Sequence, residues 1–184
     1  MSISPQHAAD ALADIDATIQ RTQLSRSYRA GGPVLMMWGL LWAAGYLVMA
    51  WLPGSQWGLA WFALSAIGMA GSLAMLRGQS LPGAGRGVGL RLVSFGLACT
   101  VFMTCVTLVT QPADPAAVMA LPGLFIGLIY GVVGSLGPRR YLWVGAYVFV
   151  LTLVGFFVFK PFLPYWMAAA SLGLLLGGVW LMRD

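Results

Sequence analysis

Six apolar stretches alternate along the chain with short segments that carry Pro, Gly or charged residues. Each stretch is close to the roughly 20 residues that a helix needs to cross the hydrocarbon of a bilayer. Because lipid offers no hydrogen-bond partners, such segments must be helical. The pattern therefore predicts an all-α fold whose transmembrane helices lie at about 33–52, 57–76, 90–110, 118–137, 141–159 and 163–182. Since the connections are short, successive helices are expected to be antiparallel and to form three hairpins.

The residues before the first apolar stretch predict a separate amphipathic helix. Aspartates occupy its front half and arginines its back half, which is the order that the helix dipole favours. Leu12, Ile15 and Ile19 form a narrow apolar stripe at helical spacing. No apolar run of signal-peptide length occurs here, so we expect no cleaved signal.

The segment "AGGP" at 30–33 predicts a break between this helix and the membrane, because it combines two glycines with a proline. The chain then divides into a cytosolic or interfacial helix over 1–30 and a six-helix transmembrane bundle over 31–184.

Composition supports a membrane protein. Hydrophobic residues make up 60% of the chain and charged residues 8%, against roughly 45–50% and 25% in soluble domains. The formal net charge is +5, but the basic residues are scattered singly or in pairs between apolar stretches. This distribution indicates a lipid bilayer as the partner and argues against nucleic acid.

The charges also predict the orientation of the bundle. Nine arginines fall before, between or after the predicted helices on one side, whereas the other side carries Lys160 alone, close to Asp114. The positive-inside rule then places both termini in the cytosol. The excess of Arg over Lys, with abundant Ala and Gly, is compatible with a GC-rich bacterial genome, so we expect a bacterial inner membrane. The nine arginines are Arg21, Arg26, Arg29, Arg77, Arg86, Arg91, Arg139, Arg140 and Arg183.

Small residues recur at every fourth position of the fourth and sixth predicted helices. They are Gly123, Gly127, Gly131 and Ser135 in the fourth, and Gly173 and Gly177 in the sixth. Small residues at this spacing let helix backbones approach closely in lipid, where close packing drives association. The pattern predicts helix-packing surfaces, either within the chain or between two copies in a homo-oligomer.

The third predicted helix carries the most polar stripe, formed by Thr100, Thr104, Thr107 and Gln111. These residues fall on one helical face. The stripe could line a cavity or a path for a neutral solute. Alternatively, the hydroxyls could bond back to their own helix or to a neighbouring one.

Residues that carry catalytic or metal-binding chemistry are scarce. From Pro33 to Met182 the only acidic residue is Asp114, and the only histidine of the chain is His7. Proton relays, haem ligation and zinc sites all need such residues in or near the helices. Cys99 and Cys105 are too far apart on one helix to form a disulfide, and we expect both to be small buried residues. The sequence therefore predicts no enzyme, no metal and no cofactor.

The segment "RSYRAGGPVLMMWGLLWAAGY" at 26–46 resembles a loose set of uncharacterised bacterial six-span inner-membrane proteins with a cytosolic N-terminal helix. That resemblance implies a topology and attaches no activity. In size and topology the chain is also similar to the substrate-binding membrane subunits of energy-coupling-factor vitamin transporters, which use small residues to contact a transport module.

Two hypotheses of function follow. The first is a non-enzymatic membrane anchor or regulatory subunit whose N-terminal helix docks a cytosolic protein through Leu12, Ile15 and Ile19. That helix could instead lie on the bilayer surface or fold under the bundle. The alternative function is a transporter or capture subunit for a small neutral molecule.

Overall fold

The computed structural model describes residues 5–77 and 88–183, and it confirms the all-α fold. The first four residues, the segment at 78–87 with Arg86, and Asp184 lie outside the described residues. Six of the described helices are long and apolar enough to cross a membrane. The helices are α1 (Pro5–Trp51), α2 (Trp57–Arg77), α3 (Val88–Thr110), α4 (Pro115–Leu136), α5 (Arg140–Val158) and α6 (Leu163–Met182). Short 3-10 turns precede α2 and α6, at Gly54–Gln56 and Lys160–Phe162.

The predicted break at 30–33 is wrong, because α1 runs through it without interruption. A Cβ added at Gly32 would lie 2.8 Å from the carbonyl oxygen of Gly178, so this glycine brings α1 against α6. Pro33 lies inside the helix, where it removes a single N–H donor, a loss that neighbouring helices help a membrane helix to tolerate. The domain boundary at residue 30 stays a prediction, and the helix has no break there.

The most extensive helix pairs are α1 with α6 and α4 with α5. The contacts of α1 with α2 and of α5 with α6 are smaller, and α2 touches α3 only slightly. The largest interface therefore joins the first and last helices of the chain. The arrangement in three sequential hairpins stays a prediction.

The described residues form two clusters of buried side chains inside the bundle. The first surrounds Tyr46, which is fully buried and donates a hydrogen bond from its hydroxyl to the carbonyl oxygen of Met119 at 3.1 Å. The indole rings of Trp42 and Trp61 pack edge-on against this tyrosine, with centroids 6.0 and 5.5 Å away. The second cluster joins α1, α5 and α6, and its buried members are Leu35, Val144, Val148, Leu174 and Leu181.

Helix α3 contributes little to either cluster, since none of its described side chains is buried. Phe102 stacks on Phe125 of α4 with ring centroids 5.0 Å apart. Cys99 and Cys105 are both free thiols, as expected. The expectation that both are buried is wrong, because Cys105 is exposed and Cys99 is only half-buried. Most of the α3 surface is thus left for a surrounding medium or partner to cover.

Candidate functional site

The glycines predicted to pack on α4 lie against α5. Gly123 is buried, and a Cβ added there would overlap the hydroxyl of Thr152. A Cβ at Gly127 would lie 2.9 Å from the Cβ of Phe149 and 3.0 Å from its backbone nitrogen. The surface is therefore used within the chain at these two positions, where any side chain would push the helices apart.

The same surface departs from the predicted spacing at its end. Among the described atoms, none lies within 4 Å of the position that a Cβ would take at Gly131. Ser135 is exposed, and its hydroxyl donates to the carbonyl oxygen of Val132 at 2.8 Å. Gly134 is the buried residue of this turn, and a Cβ there would overlap the backbone of Leu142. The close contact with α5 therefore falls at Gly134 and not at the predicted Ser135. Here α5 begins directly after the short turn that follows α4.

The two glycines predicted to pack on α6 differ in how closely their neighbours approach. A Cβ at Gly173 would overlap the hydroxyl of Tyr147, which donates to the carbonyl oxygen of Ala170 at 3.0 Å. At Gly177 an added Cβ would lie 3.6 Å from the nearest atom, on Leu35, which is an ordinary contact. The close approach occurs one residue later, where a Cβ at Gly178 would lie 2.7 Å from the carbonyl oxygen of Gly32.

Arg140 ties the start of α5 to the end of α6, at what we call the Arg140 end of the bundle. Its guanidinium donates to the carbonyl oxygens of Trp180 (3.3 Å) and Leu181 (3.0 Å), and also to that of Arg183. These carbonyls end α6, where the helix dipole favours a cation. From the sequence, Arg140 indicates only the orientation of the bundle. Its contact with the end of α6 could not be predicted, because it depends on which helices are neighbours.

Three tyrosines extend this cluster to α1 and α4. The guanidinium of Arg140 lies 5.0 Å from the ring centroid of Tyr28, whose hydroxyl accepts a hydrogen bond from the backbone nitrogen of Arg140 at 3.2 Å. Tyr141 lies between Tyr28 and Tyr130, with centroid distances of 5.9 and 5.7 Å. The cluster therefore fixes the position at which the N-terminal part of α1 leaves the bundle.

The threonine stripe of α3 bonds to its own helix. The hydroxyls of Thr100, Thr104 and Thr107 each donate at 2.9 Å to the carbonyl oxygen four residues earlier. This was one of the two alternatives for the stripe, and it leaves these hydroxyl protons engaged locally. Gln111 does not continue the helical face, because α3 ends at Thr110 and Gln111 adopts a positive φ of 38°.

The N-terminal stripe faces outward. Leu12, Ile15 and Ile19 have relative exposures of 63%, 54% and 47%. At 1.5 Å per residue, the 47 residues of α1 span roughly 70 Å. This length is more than twice the thickness of the bilayer hydrocarbon, which is about 30 Å. The stripe lies in the N-terminal half of α1, which precedes Tyr28 and its contact with Arg140.

At the opposite end of the bundle, which we call the Lys160 end, the ammonium of Lys160 lies 2.6 Å from a carboxylate oxygen of Asp114. Asp114 also caps α4 by accepting a hydrogen bond from the backbone nitrogen of Ala116 at 3.0 Å. Both contacts favour the charged carboxylate, so the hydrogen bond to Lys160 and then that to Ala116 lower the pKa of Asp114 below its usual range.

Residues 5–77 and 88–183 contain no group of three or more His, Cys, Asp or Glu that could hold a metal ion. Within these same ranges, every buried side-chain nitrogen or oxygen atom has a hydrogen-bond partner. The described side chains thus bring together helix-packing surfaces, the cation cluster around Arg140 and the ion pair of Lys160 with Asp114.

No protein-family model matches this chain, and neither the curated proteins nor the solved structures contain a significant match to it.

Proposed function

We propose that this chain is a non-enzymatic integral membrane anchor or regulatory subunit that docks a cytosolic protein through the N-terminal part of α1. Its six helices cross a bacterial inner membrane in three antiparallel hairpins, with both termini in the cytosol. The observation that carries the proposal is the exposed apolar stripe of Leu12, Ile15 and Ile19 on a helix too long for the bilayer. Exposed apolar residues at helical spacing suit a helix-in-groove contact.

The continuity of α1 favours docking over the two alternatives for its N-terminal part, which are a position on the bilayer surface and a position under the bundle. A helix that lies on the bilayer surface or folds under the bundle needs a bend near the membrane. Instead, α1 continues through 30–33, and Tyr28 is held by Arg140 just before that segment. A docking helix whose direction is fixed in advance loses less conformational entropy on binding.

The membrane topology is supported by the distribution of charges. Arg139, Arg140 and Arg183 lie at the Arg140 end, together with the N-terminal part of α1. Lys160 lies at the opposite end and is paired with Asp114. Under the positive-inside rule the Arg140 end faces the cytosol.

The test of docking is affinity purification of the full chain from its native host with a stripe variant. We expect Leu12→Gln, Ile15→Gln and Ile19→Gln together to remove a specific co-purifying protein. The control replaces Ala13 and Ala17 by Gln, because these residues lie on the other side of the helix. Equal recovery of the partner by the wild type and the stripe variant would refute the docking role.

The alternative, capture of a small neutral molecule, has less support. The hydroxyl protons of Thr100, Thr104 and Thr107 are engaged by their own helix, so they are not poised to donate to a solute. Thermal stabilisation of the purified protein by one member of a panel of neutral metabolites would favour this function. The absence of any stabilising compound would count against it.

A further inference from the structure

We propose that an apolar cleft at the Lys160 end binds an acyl chain of phosphatidylethanolamine, whose zwitterionic headgroup pairs with Lys160 and Asp114. The inference rests on the proposed insertion of the bundle into a bilayer. It assigns a specific lipid to a site that the docking role does not use.

The cleft lies beside α4 and α5, close to their ends at Asp114 and Lys160. Its volume is about 320 Å³, at the lower end of the roughly 300–1,000 Å³ of small-molecule sites. The larger apolar residues of its lining are Pro112, Leu121, Leu124, Leu153, Phe156 and Phe157. Aliphatic and aromatic side chains dominate this lining, which suits a hydrocarbon chain.

The two hydroxyls of the lining are already hydrogen-bonded. Thr152 donates to the carbonyl oxygen of Val148 at 2.7 Å, and Thr110 donates to that of Val106 at 2.8 Å. A polar solute in the cleft would lose its hydrogen bonds to water without finding these donors free. The cleft therefore discriminates against polar molecules.

The ion pair lies next to the cleft. The ammonium of Lys160 is 5.5 Å from the ring centroid of Phe156, which lines the cleft, and Asp114 directly precedes α4. The side chains of Lys160 and Asp114 are 52% and 39% exposed, so both can reach a headgroup.

The charges of this pair match one class of headgroup. The phosphate of phosphatidylethanolamine pairs with Lys160, and its primary ammonium donates hydrogen bonds to Asp114. Phosphatidylcholine has no N–H to donate, and phosphatidylglycerol has no cation for Asp114. The pair therefore favours phosphatidylethanolamine over both lipids when their acyl chains are the same.

The test is native mass spectrometry of the full chain after equilibration in micelles with equimolar phosphatidylethanolamine, phosphatidylcholine and phosphatidylglycerol of identical acyl chains. We expect about threefold enrichment of phosphatidylethanolamine, the size of effect that an exposed ion pair supplies. Asp114→Asn should abolish this preference while keeping the helix cap, because Asn is also a good cap residue. Equal retention of the three lipids by the wild type would overturn the headgroup assignment.

The cleft itself is tested with a matched pair of variants on α4. Leu121→Trp fills the cleft, whereas Leu128→Trp makes the same change at a side chain that is 59% exposed. We expect Leu121→Trp to reduce retained phosphatidylethanolamine about threefold relative to Leu128→Trp. Equal retention by the two variants would overturn the proposal.

Membrane insertion is measured separately by the fraction of protein that resists alkaline extraction from membranes. Resistance to extraction with no lipid preference refutes the lipid site alone. Extraction of the wild-type chain refutes the membrane insertion on which the site rests.

Discussion

The membrane-spanning part of α1 and helix α3 are similarly apolar but are buried to very different extents. The most apolar windows of α1 and α3 have mean hydropathies of 1.7 and 1.9, yet a third of the α1 window is buried and none of the α3 window is. The difference lies in the small residues, since Gly32 and Gly39 bring α1 within van der Waals contact of the α6 backbone. At Gly96 of α3, only the flexible end of Met69 approaches.

This contrast shows what determines packing among helices of this kind. When helices already lie in lipid, burial of apolar surface adds little stability, and close approach of the backbones contributes more. Hydropathy therefore predicts which segments are helices that can span a bilayer, whereas the position of glycine predicts which of them pack tightly. Comparing Gly145 with Gly96, and Thr152 with Thr104, tests this difference between the tightly packed helices and α3.

The largest effect is expected from Gly145→Ala in the interface of α4 and α5. The added Cβ would lie 2.5 Å from the nitrogen of Gly131 and 2.6 Å from the carbonyl oxygen of Gly127, so two backbones must separate. We expect a loss of about 1–3 kcal/mol, typical of overpacking. The measurement is the thermal unfolding midpoint of the purified protein in detergent.

Gly96→Ala is the matched control on α3. Its Cβ meets only the end of the Met69 side chain, which can move, and Ala favours a helix by about 1 kcal/mol over Gly. We expect an unchanged or slightly higher midpoint. Similar destabilisation by both substitutions would remove the distinction between the two regions.

A smaller loss is expected from Arg140→Gln, which removes the cation at the end of α6 and its contact with Tyr28. A favourable cation at a helix C-terminus contributes up to about 2 kcal/mol, so we expect a loss of about 1–2 kcal/mol in the same unfolding assay. Arg139→Gln is the control, because it removes the same charge from the neighbouring exposed position. Equal midpoints for the two variants would contradict the assigned role of Arg140.

Two threonines with the same local hydrogen bond provide the third comparison. Thr152 is fully buried between α4 and α5, whereas Thr104 on α3 is exposed. Truncation of Thr152 to Ala removes packed atoms, and we expect it to cost about 1 kcal/mol. Thr104→Ala should cost less than about 0.6 kcal/mol. A larger cost at Thr104 would indicate that the threonine stripe has a packed partner.

The smallest effect concerns pH and the Lys160–Asp114 pair. Because the folded-state pKa of Asp114 is lowered, its contribution to stability is present above the unfolded value of about 3.9 and is lost as the pH falls through the lower folded value. We expect the wild type to lose slightly more stability than Asp114→Asn in this acidic range. Identical unfolding midpoints at every pH would show that the pair contributes nothing to the fold.

The sequence predicts the helices well because a long apolar segment has few structural alternatives. The starts and ends of α2 to α6 lie within a few residues of the predicted ones. Gly32 and Pro33 misled the prediction, since the same residues can end a helix in water or allow close packing in lipid. The contacts of Arg140 with α6 and Tyr28 were beyond the sequence, because they depend on which helices are neighbours.

The central claim is that the chain spans a membrane with its N-terminal stripe in the cytosol. The most direct test is labelling of single-cysteine variants with a membrane-impermeant maleimide, in a background where Cys99 and Cys105 are replaced by Ala. We predict that Ile15→Cys is labelled only after the cells are permeabilised, whereas Gln56→Cys, in the turn before α2, is labelled in intact cells. Labelling of Ile15→Cys in intact cells, with Gln56→Cys protected, would contradict the proposed topology and the docking role together.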